Sequence, residues 1–184
     1  MLLDSPVCDF GWKAPDFSLK DPNGNHYSMS EQLGNKGLVI AFICNHCPYV
    51  KAIATRLAED MKQLQKEGVN TLAVMSNDYQ SVSEDSPENM VKFAKQYGFD
   101  FPYVIDEDQS VAKAYGAVCT PDFFGLNKHG ELHYRGRLDD LRVGEADESE
   151  RIPELVKAMR LIAETSKGPE KQYPSMGCSI KWSA

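Results

Sequence analysis

The sequence predicts an α/β layered domain with a mixed sheet, on three observations. One unbroken apolar run, Leu38-Val39-Ile40-Ala41-Phe42-Ile43, and a second strand-like stretch, Val69-Asn70-Thr71-Leu72-Ala73-Val74-Met75, have the length of buried parallel strands. An amphipathic stretch of helical period follows each of them. A turn-bounded hairpin and a last helix then complete the pattern of alternating layers. With 184 residues and 42% hydrophobic content, the chain supplies one well-buried core and is short for two. The expectation is therefore a single domain over residues 1–184.

The formal charge of −7, with a pI near 5.1, speaks against a nucleic-acid partner. The start, Met1-Leu2-Leu3-Asp4-Ser5-Pro6, has no basic segment followed by an apolar one, and no window reaches membrane-spanning length. A cytoplasmic location without a membrane partner is the expectation, and lasting structural disulfides are rare there. The five cysteines, Cys8, Cys44, Cys47, Cys119 and Cys178, are an odd number, which excludes a complete intrachain framework. Catalytic, metal-binding or inert thiols remain.

Residues 1–11 read as an extended lead-in. Two short alternating segments, around Phe17 and around Tyr27, flank Asp21-Pro22-Asn23-Gly24, whose last two residues are a hairpin turn signal. Ser30-Glu31-Gln32-Leu33 suggests a helical turn before the first apolar run. Ile53, Leu57, Met61 and Leu64 then mark a helix over 50–66, with Gly68 as its C-terminal cap. After the second run, residues 79–85 are polar and read as a loop. Ser86-Pro87-Glu88 starts a helix with an N-cap serine, a proline at the first helical position and an acid. Its apolar face is Met90, Phe93, Ala94 and Tyr97, and Gly98 stops it. A short extended piece over 99–104 and a brief helix over 108–115 follow. Residues 119–126 lead through Asn127-Lys128-His129-Gly130 to a hairpin partner over 131–137. Pro153 opens the last helix, and Gly168-Pro169 ends it.

Chemistry concentrates where the first apolar run meets its helix, at Cys44-Asn45-His46-Cys47-Pro48. Unpaired N–H groups and the positive end of the helix macrodipole favour a thiolate there. In a strand-to-helix context this Cys-X-X-Cys reads as a redox pair, although zinc ribbons use the same spacing. His46, as an imidazolium, stabilises a neighbouring thiolate; its alternative reading is a polar loop residue. Cys119 reads as a buried small hydrophobe, with a third redox thiol as its other reading. Cys178, among Met176, Ile180 and Trp182, reads as part of a strap over the core, with a resolving thiol, which spacing does not support, as the other. The acids Asp139, Asp140, Glu145, Asp147, Glu148 and Glu150 read as a solvated loop rather than a metal site.

Four features together resemble the thioredoxin-like superfamily, in the branch that holds the peroxiredoxins (alkyl hydroperoxide reductase/thiol-specific antioxidant) and the thioredoxin-like reductases. They are the Ala14-Pro15-Asp16-Phe17 opening, the strand–cysteine–helix unit, the Thr120-Pro121 step and the Tyr134-Arg135-Gly136 arm. The tail Pro174-Ser175-Met176-Gly177-Cys178-Ser179-Ile180-Lys181-Trp182 and the Cys-Asn-His-Cys-Pro motif resemble an uncharacterised redoxin subfamily. The resemblance implies a thioredoxin-like fold over 11–166, a central mixed sheet flanked by helices, with an N-terminal hairpin extension and a C-terminal tail over 167–184. It also implies a cis bond between Thr120 and Pro121, with Pro121 against the cysteines. The site residues are then Cys44, His46, Cys47, Thr120 and Pro121.

Two departures bear on the reaction. Peroxiredoxins of the ordinary pattern carry a threonine three residues before the attacking cysteine; counted from Cys47, that position is Cys44. Thioredoxin carries a buried carboxylate on its central strand, and residues 38–43 offer none. Arg135 or Arg137 is the candidate for the guanidinium that the resemblance implies for a peroxidase, although a solvated hairpin charge is the commoner reading of each. The register of Phe42, five residues before Cys47 as in thioredoxin-like reductases, makes Cys47 the attacking thiol and Cys44 the resolving one, against the thioredoxin order. The leading function is thiol–disulfide exchange on protein thiols or disulfides, through a Cys44/Cys47 disulfide and without a cofactor. Reduction of small hydroperoxides, an antioxidant activity, is the alternative. A Cu(I) or Zn(II) handling protein using Cys44, His46 and Cys47 ranks below both.

Overall fold

The computed structural model of the protein describes residues 1–145 and 147–184. Strand β1 (Leu2–Asp4) precedes a hairpin of β2 (Ser18–Lys20) and β3 (His26–Ser28). The helical turn α1 (Met29–Gln32) is capped by the Ser28 hydroxyl, which accepts the Glu31 N–H at 3.1 Å. Next come β4 (Leu38–Phe42), α2 (Pro48–Lys66), β5 (Asn70–Met75), α3 (Pro87–Tyr97) and β6 (Tyr103–Ile105). The chain continues through α4 (Ser110–Tyr115), β7 (Cys119–Thr120), β8 (Asp122–Leu126) and β9 (Leu132–Gly136). It closes with α5 (Glu154–Thr165) and β10 (Met176–Ser179).

Seven strands form the central sheet in the order β3-β2-β6-β5-β4-β8-β9. Strand β4 is parallel to β5 and antiparallel to β8, so its continuous apolar run is explained by burial on both faces. Val39, Ala41 and Ile43 pack with Leu57, Met61 and Leu64 of α2, Phe93 of α3 and Met159 of α5. Leu38, Ile40 and Phe42 face Val111, Ala112 and Tyr115 of α4 on the other side. The helix boundaries follow local chemistry. Gly68, at φ 92, lets its own N–H reach Gln65 O and the Val69 N–H reach Leu64 O, which satisfies the last carbonyls of α2. Ser86 caps α3 through the Asn89 N–H, Pro87 occupies its first turn, and Gly98 closes it in the left-handed region.

A second sheet was not expected. Strand β10 lies between β1 and β7, antiparallel to both, in the order β1-β10-β7. The lead-in and the tail are thus paired strands, closed into a sheet by contacts between the two ends of the chain. Of the apolar tail residues expected to cover the core, only Ile180 is buried, while Met176 and Trp182 are exposed.

Other expectations are corrected by burial. Asp139 is not solvated: it accepts from Arg56 Nε at 2.7 Å and Arg151 Nη1 at 3.1 Å, and Arg151 also holds Asp60 of α2 at 2.8 Å. Glu145, Asp147, Glu148 and Glu150 are exposed. Helix α5 ends at Thr165, with Ser166 left-handed at φ 62, before Gly168. Gly168 has a different duty, because a Cβ there would lie 1.8 Å from His133 O.

Candidate active site

Strand β4 ends at Phe42, the buried pair Ile43-Cys44 follows, and the chain turns through Asn45 and His46 to Cys47, the N-cap of α2. Cys47 has extended backbone angles, φ −70 and ψ 125, and Pro48 follows it in the first helical turn. This is the arrangement that the strand–motif–helix pattern predicts, with Cys47 at the helix mouth and Cys44 in the loop before it. Both sulfurs lie fully inside the protein surface.

The bond between Thr120 and Pro121 is cis. Thr120 meets both cysteines: its Oγ1 is 3.3 Å from Cys44 Sγ, and its carbonyl accepts from the Cys47 thiol at 3.4 Å. Pro121 O accepts a hydrogen bond from the Ser175 hydroxyl of the tail. Four of the five residues singled out in the sequence, Cys44, Cys47, Thr120 and His46, therefore converge with Pro121 beside them.

The residue that organises this loop was missed. Asp85 lies in a short 3-10 turn ahead of α3, in the stretch read as a polar loop, and its side chain is wholly buried. Oδ1 accepts the backbone N–H groups of Asn45 at 2.8 Å and His46 at 3.1 Å. Oδ2 pairs with His46 Nδ1 at 2.6 Å and accepts from Asn77 Nδ2 at 3.0 Å. Asn45 is further held by Glu84 O at 3.1 Å and by the Tyr103 hydroxyl at 3.0 Å. A carboxylate is thus present at the site, supplied from a loop rather than from the central strand. No local signal distinguishes Asp85 from the ordinary acids that gather near helix starts.

These contacts set the proton affinities. The Cys44 hydrogen bond lowers the Cys47 pKa, and donors on Cys178 and the Val50 N–H lower it further, against the opposing effect of burial. Cys44 moves the other way, raised by its bond to Cys47, by burial and by the Asp85 charge. The hydrogen bond to Asp85 raises the His46 pKa. Burial alone would raise Asp85, but the bonds from His46 and Asn77 outweigh it and hold the carboxyl below its ordinary range. Burial pushes Cys119 up to about 12 and Cys8 to about 11, which makes both poor nucleophiles at neutral pH. Cys178 is raised to about 11 by burial and then by its hydrogen bond to Cys47 and the Cys47 charge, and these last two contributions vanish when Cys47 is held in a disulfide.

Neither hairpin arginine reaches out as a free charge. Arg135 is buried, 2.8 Å from Asp122 Oδ2, and its guanidinium lies 4.4 Å from the Phe124 ring centre. Arg137 pairs with Glu154 at 2.8 Å. The metal-handling set is also altered. Among the described residues, the donor atoms that lie within 4.8 Å of one another belong to Cys44, His46 and Asp85, not to Cys44, His46 and Cys47. In that group His46 and Asp85 already occupy each other.

The model of the AhpC/TSA family matches residues 10–135. The thiol–disulfide oxidoreductase ResA of Geobacillus thermodenitrificans is 34% identical over 122 residues, 66% of this chain and 66% of that protein. The peroxiredoxin Bcp of Escherichia coli is 29% identical over 117 residues, 64% of this chain and 70% of its own length. The chain thus spans about two thirds of the length of these curated relatives. An uncharacterized conserved protein from Geobacillus kaustophilus superposes with a TM-score of 0.92 at 40% identity, over 100% of this chain and 97% of its own. The thioredoxin domain of a thiol-disulfide oxidoreductase from Bacteroides vulgatus, 18% identical over 72% of this chain and 89% of its own, superposes with a TM-score of 0.59 and speaks for a shared thioredoxin-like fold. The strand order, the helix-capping Cys47 and the match over most of the sequence lead to one conclusion: the chain belongs to the AhpC/TSA family, in the thioredoxin-like redoxin branch.

Proposed function

We propose that this thiol oxidoreductase carries out disulfide exchange through Cys44 and Cys47, with Cys47 as the attacking thiolate. The observation that carries the reading is the asymmetry around the two sulfurs. Cys47 stands at the N-cap position of a helix, where Cys44 and its other neighbours, with the helix dipole, lower its pKa, whereas Cys44 lies near the Asp85 carboxylate, whose charge adds to the rise in its own. Thiolate attack by Cys47 on a substrate disulfide forms a mixed disulfide and releases one substrate thiolate. Cys44 then attacks Cys47 Sγ: the Cys44–Cys47 bond forms, the mixed disulfide breaks, and the Cys44 proton goes to the second departing substrate thiolate. The reverse sequence oxidises a substrate dithiol.

Protein thiols or disulfides are the proposed substrates. Peroxide reduction ranks second because Arg135 is committed to Asp122 and the Thr120 hydroxyl meets Cys44 rather than Cys47. No helix among the described residues is long and apolar enough to cross a membrane. A reducing, cytoplasmic setting suits the five free thiols and is part of this proposal.

Peptide mapping of the mildly oxidised protein tests the reading. One dominant Cys44–Cys47 bridge is the expected product; a protein whose two cysteines stay reduced while the others oxidise sinks it. His46 supplies a second measurement. Its imidazolium lies close enough to Cys47 for each to favour the other's charged form. His46→Ala is expected to raise the Cys47 thiol pKa and to lower the reduction potential of the pair by about 30 mV, equivalent to about 1.4 kcal/mol. An unchanged potential removes His46 from the mechanism.

A further inference from the structure

Cys44 and Cys47 have no exposed surface, so direct exchange with a substrate requires the chain that covers them to move aside. Cys178 is different. It is half-buried on β10 and packs against the cluster that contains both cysteines. Its strand is directed onto the site from several sides. Cys178 stands opposite Thr120 in the antiparallel pairing, and Thr120 O is also the acceptor of the Cys47 thiol. Gly177 permits this approach, since a Cβ there would lie 1.8 Å from Thr120 O and 3.0 Å from Pro121 Cδ. The Ser175 hydroxyl bonds to Pro121 O. The Lys181 N–H donates to Asn77 Oδ1 at 2.8 Å, on the same side chain whose amide holds Asp85. The tail strand is thus fastened on both sides of Cys178.

We propose that Cys178 is a third redox thiol, which takes the disulfide from the buried pair and presents it to external thiols. This rests on the exchange reading above. The Cys178 thiolate attacks Cys47 Sγ of the Cys44–Cys47 disulfide. The Cys47–Cys178 bond forms, the Cys44–Cys47 bond breaks, and Cys44 leaves as a thiolate that takes the proton Cys178 gave up. No net oxidation or reduction occurs in this step. A substrate dithiol then attacks the sulfur of Cys178, which is not fully buried, and Cys47 departs as the thiolate its surroundings favour. The second thiol of the substrate attacks its own sulfur in that mixed disulfide and releases Cys178. The substrate leaves as a disulfide, having lost two electrons and two protons, and the protein regains three reduced cysteines.

The inference is tested on the full chain with two variants. In Cys44→Ser, mild oxidation with diamide is expected to give an intramolecular Cys47–Cys178 bridge on peptide mapping; Cys47 remaining free, or pairing only between molecules, overturns the proposal. The second measurement follows reduction of the Cys44–Cys47 disulfide by dithiothreitol. Cys178→Ser is expected to slow it about tenfold relative to the unmodified chain, with the far-UV spectrum unchanged. Equal rates also overturn it. Failure of the unmodified protein to form a Cys44–Cys47 bridge counts against the exchange reading itself, while the Cys44→Ser bridge reports on Cys178 alone.

Discussion

Cys47→Ser is expected to abolish disulfide exchange, while Cys44→Ser attacks its substrate and stalls as a mixed disulfide. The difference follows from where the two sulfurs sit. Cys47 occupies the N-cap position of α2, and the influence of Cys44, Cys178 and Val50 lowers its pKa. Cys44 lies one loop earlier, with the Asp85 charge nearby. Loss of a nucleophile of this kind costs about 10³-fold or more in rate. Because both thiols are buried, the assignment is best read without an added reagent. Thiolate absorbance at 240 nm, titrated from acid to neutral pH, should show one ionisation well below the ordinary cysteine range. Cys47→Ser should erase it. In Cys44→Ser it should persist, moved upward, since the largest lowering contribution is the Cys44 hydrogen bond. If instead Cys44→Ser erases the signal and is the variant that cannot attack, the roles are reversed and the thioredoxin order holds.

Asp85→Ala is expected to destabilise the protein by about 3–5 kcal/mol, because a buried carboxylate would leave its partners behind. The N–H groups of Asn45 and His46 and the Asn77 amide would lose their acceptor in a dry interior. At about 2–4 °C per kcal/mol for a chain of this size, the thermal midpoint should fall by about 10 °C. A shift of a degree or two would mean that water replaces the carboxylate without cost. Asp85→Asn keeps the shape and isolates the charge. The folded Asp85 pKa lies below its ordinary 3.8, so its contribution is present above that pH and is lost as pH falls through the folded value. The folded His46 pKa lies above its ordinary 6.5, so its contribution is complete below that pH and fades as pH rises through the raised value. The pair is therefore worth most between pH 3.8 and 6.5. In Asp85→Asn the difference from the unmodified protein should be largest in that window and shrink on either side; a difference constant with pH would show that the charge is irrelevant. The same variant should lower the Cys44 pKa, as the Asp85 charge that raises it is gone.

Much of the scaffold was legible because its causes are local. Apolar runs of strand length specified β4 and β5, helical spacing and caps specified α2 and α3, and Ser86-Pro87 and Gly98 marked the ends of α3 within a residue. The side of α2 that meets the core repeats every three to four residues, and that period is visible without any knowledge of what it packs against. Boundaries were less legible where the signal residue had another duty. Gly168 was read as a helix stop, yet its small size serves a close approach to His133 O. The burial of the charges in the hairpin and its following loop is not legible for a related reason. Whether Arg135 and Asp139 are solvated or buried depends on Asp122 and Arg56, and neither is a sequence neighbour.

By itself, then, the sequence determined the family, the layered fold and the placement of two cysteines at a helix mouth, since each follows from patterns within one segment. Only the tertiary structure decided what surrounds those cysteines. Asp85 reaches His46 across 39 residues of chain, and Thr120 reaches Cys47 across 73. Cys178 arrives by the pairing of the last strand with the first strand and with β7. Local propensity carries no information about such meetings. They are selected by the shared burial of polar groups, which must find partners inside the fold once water has been excluded.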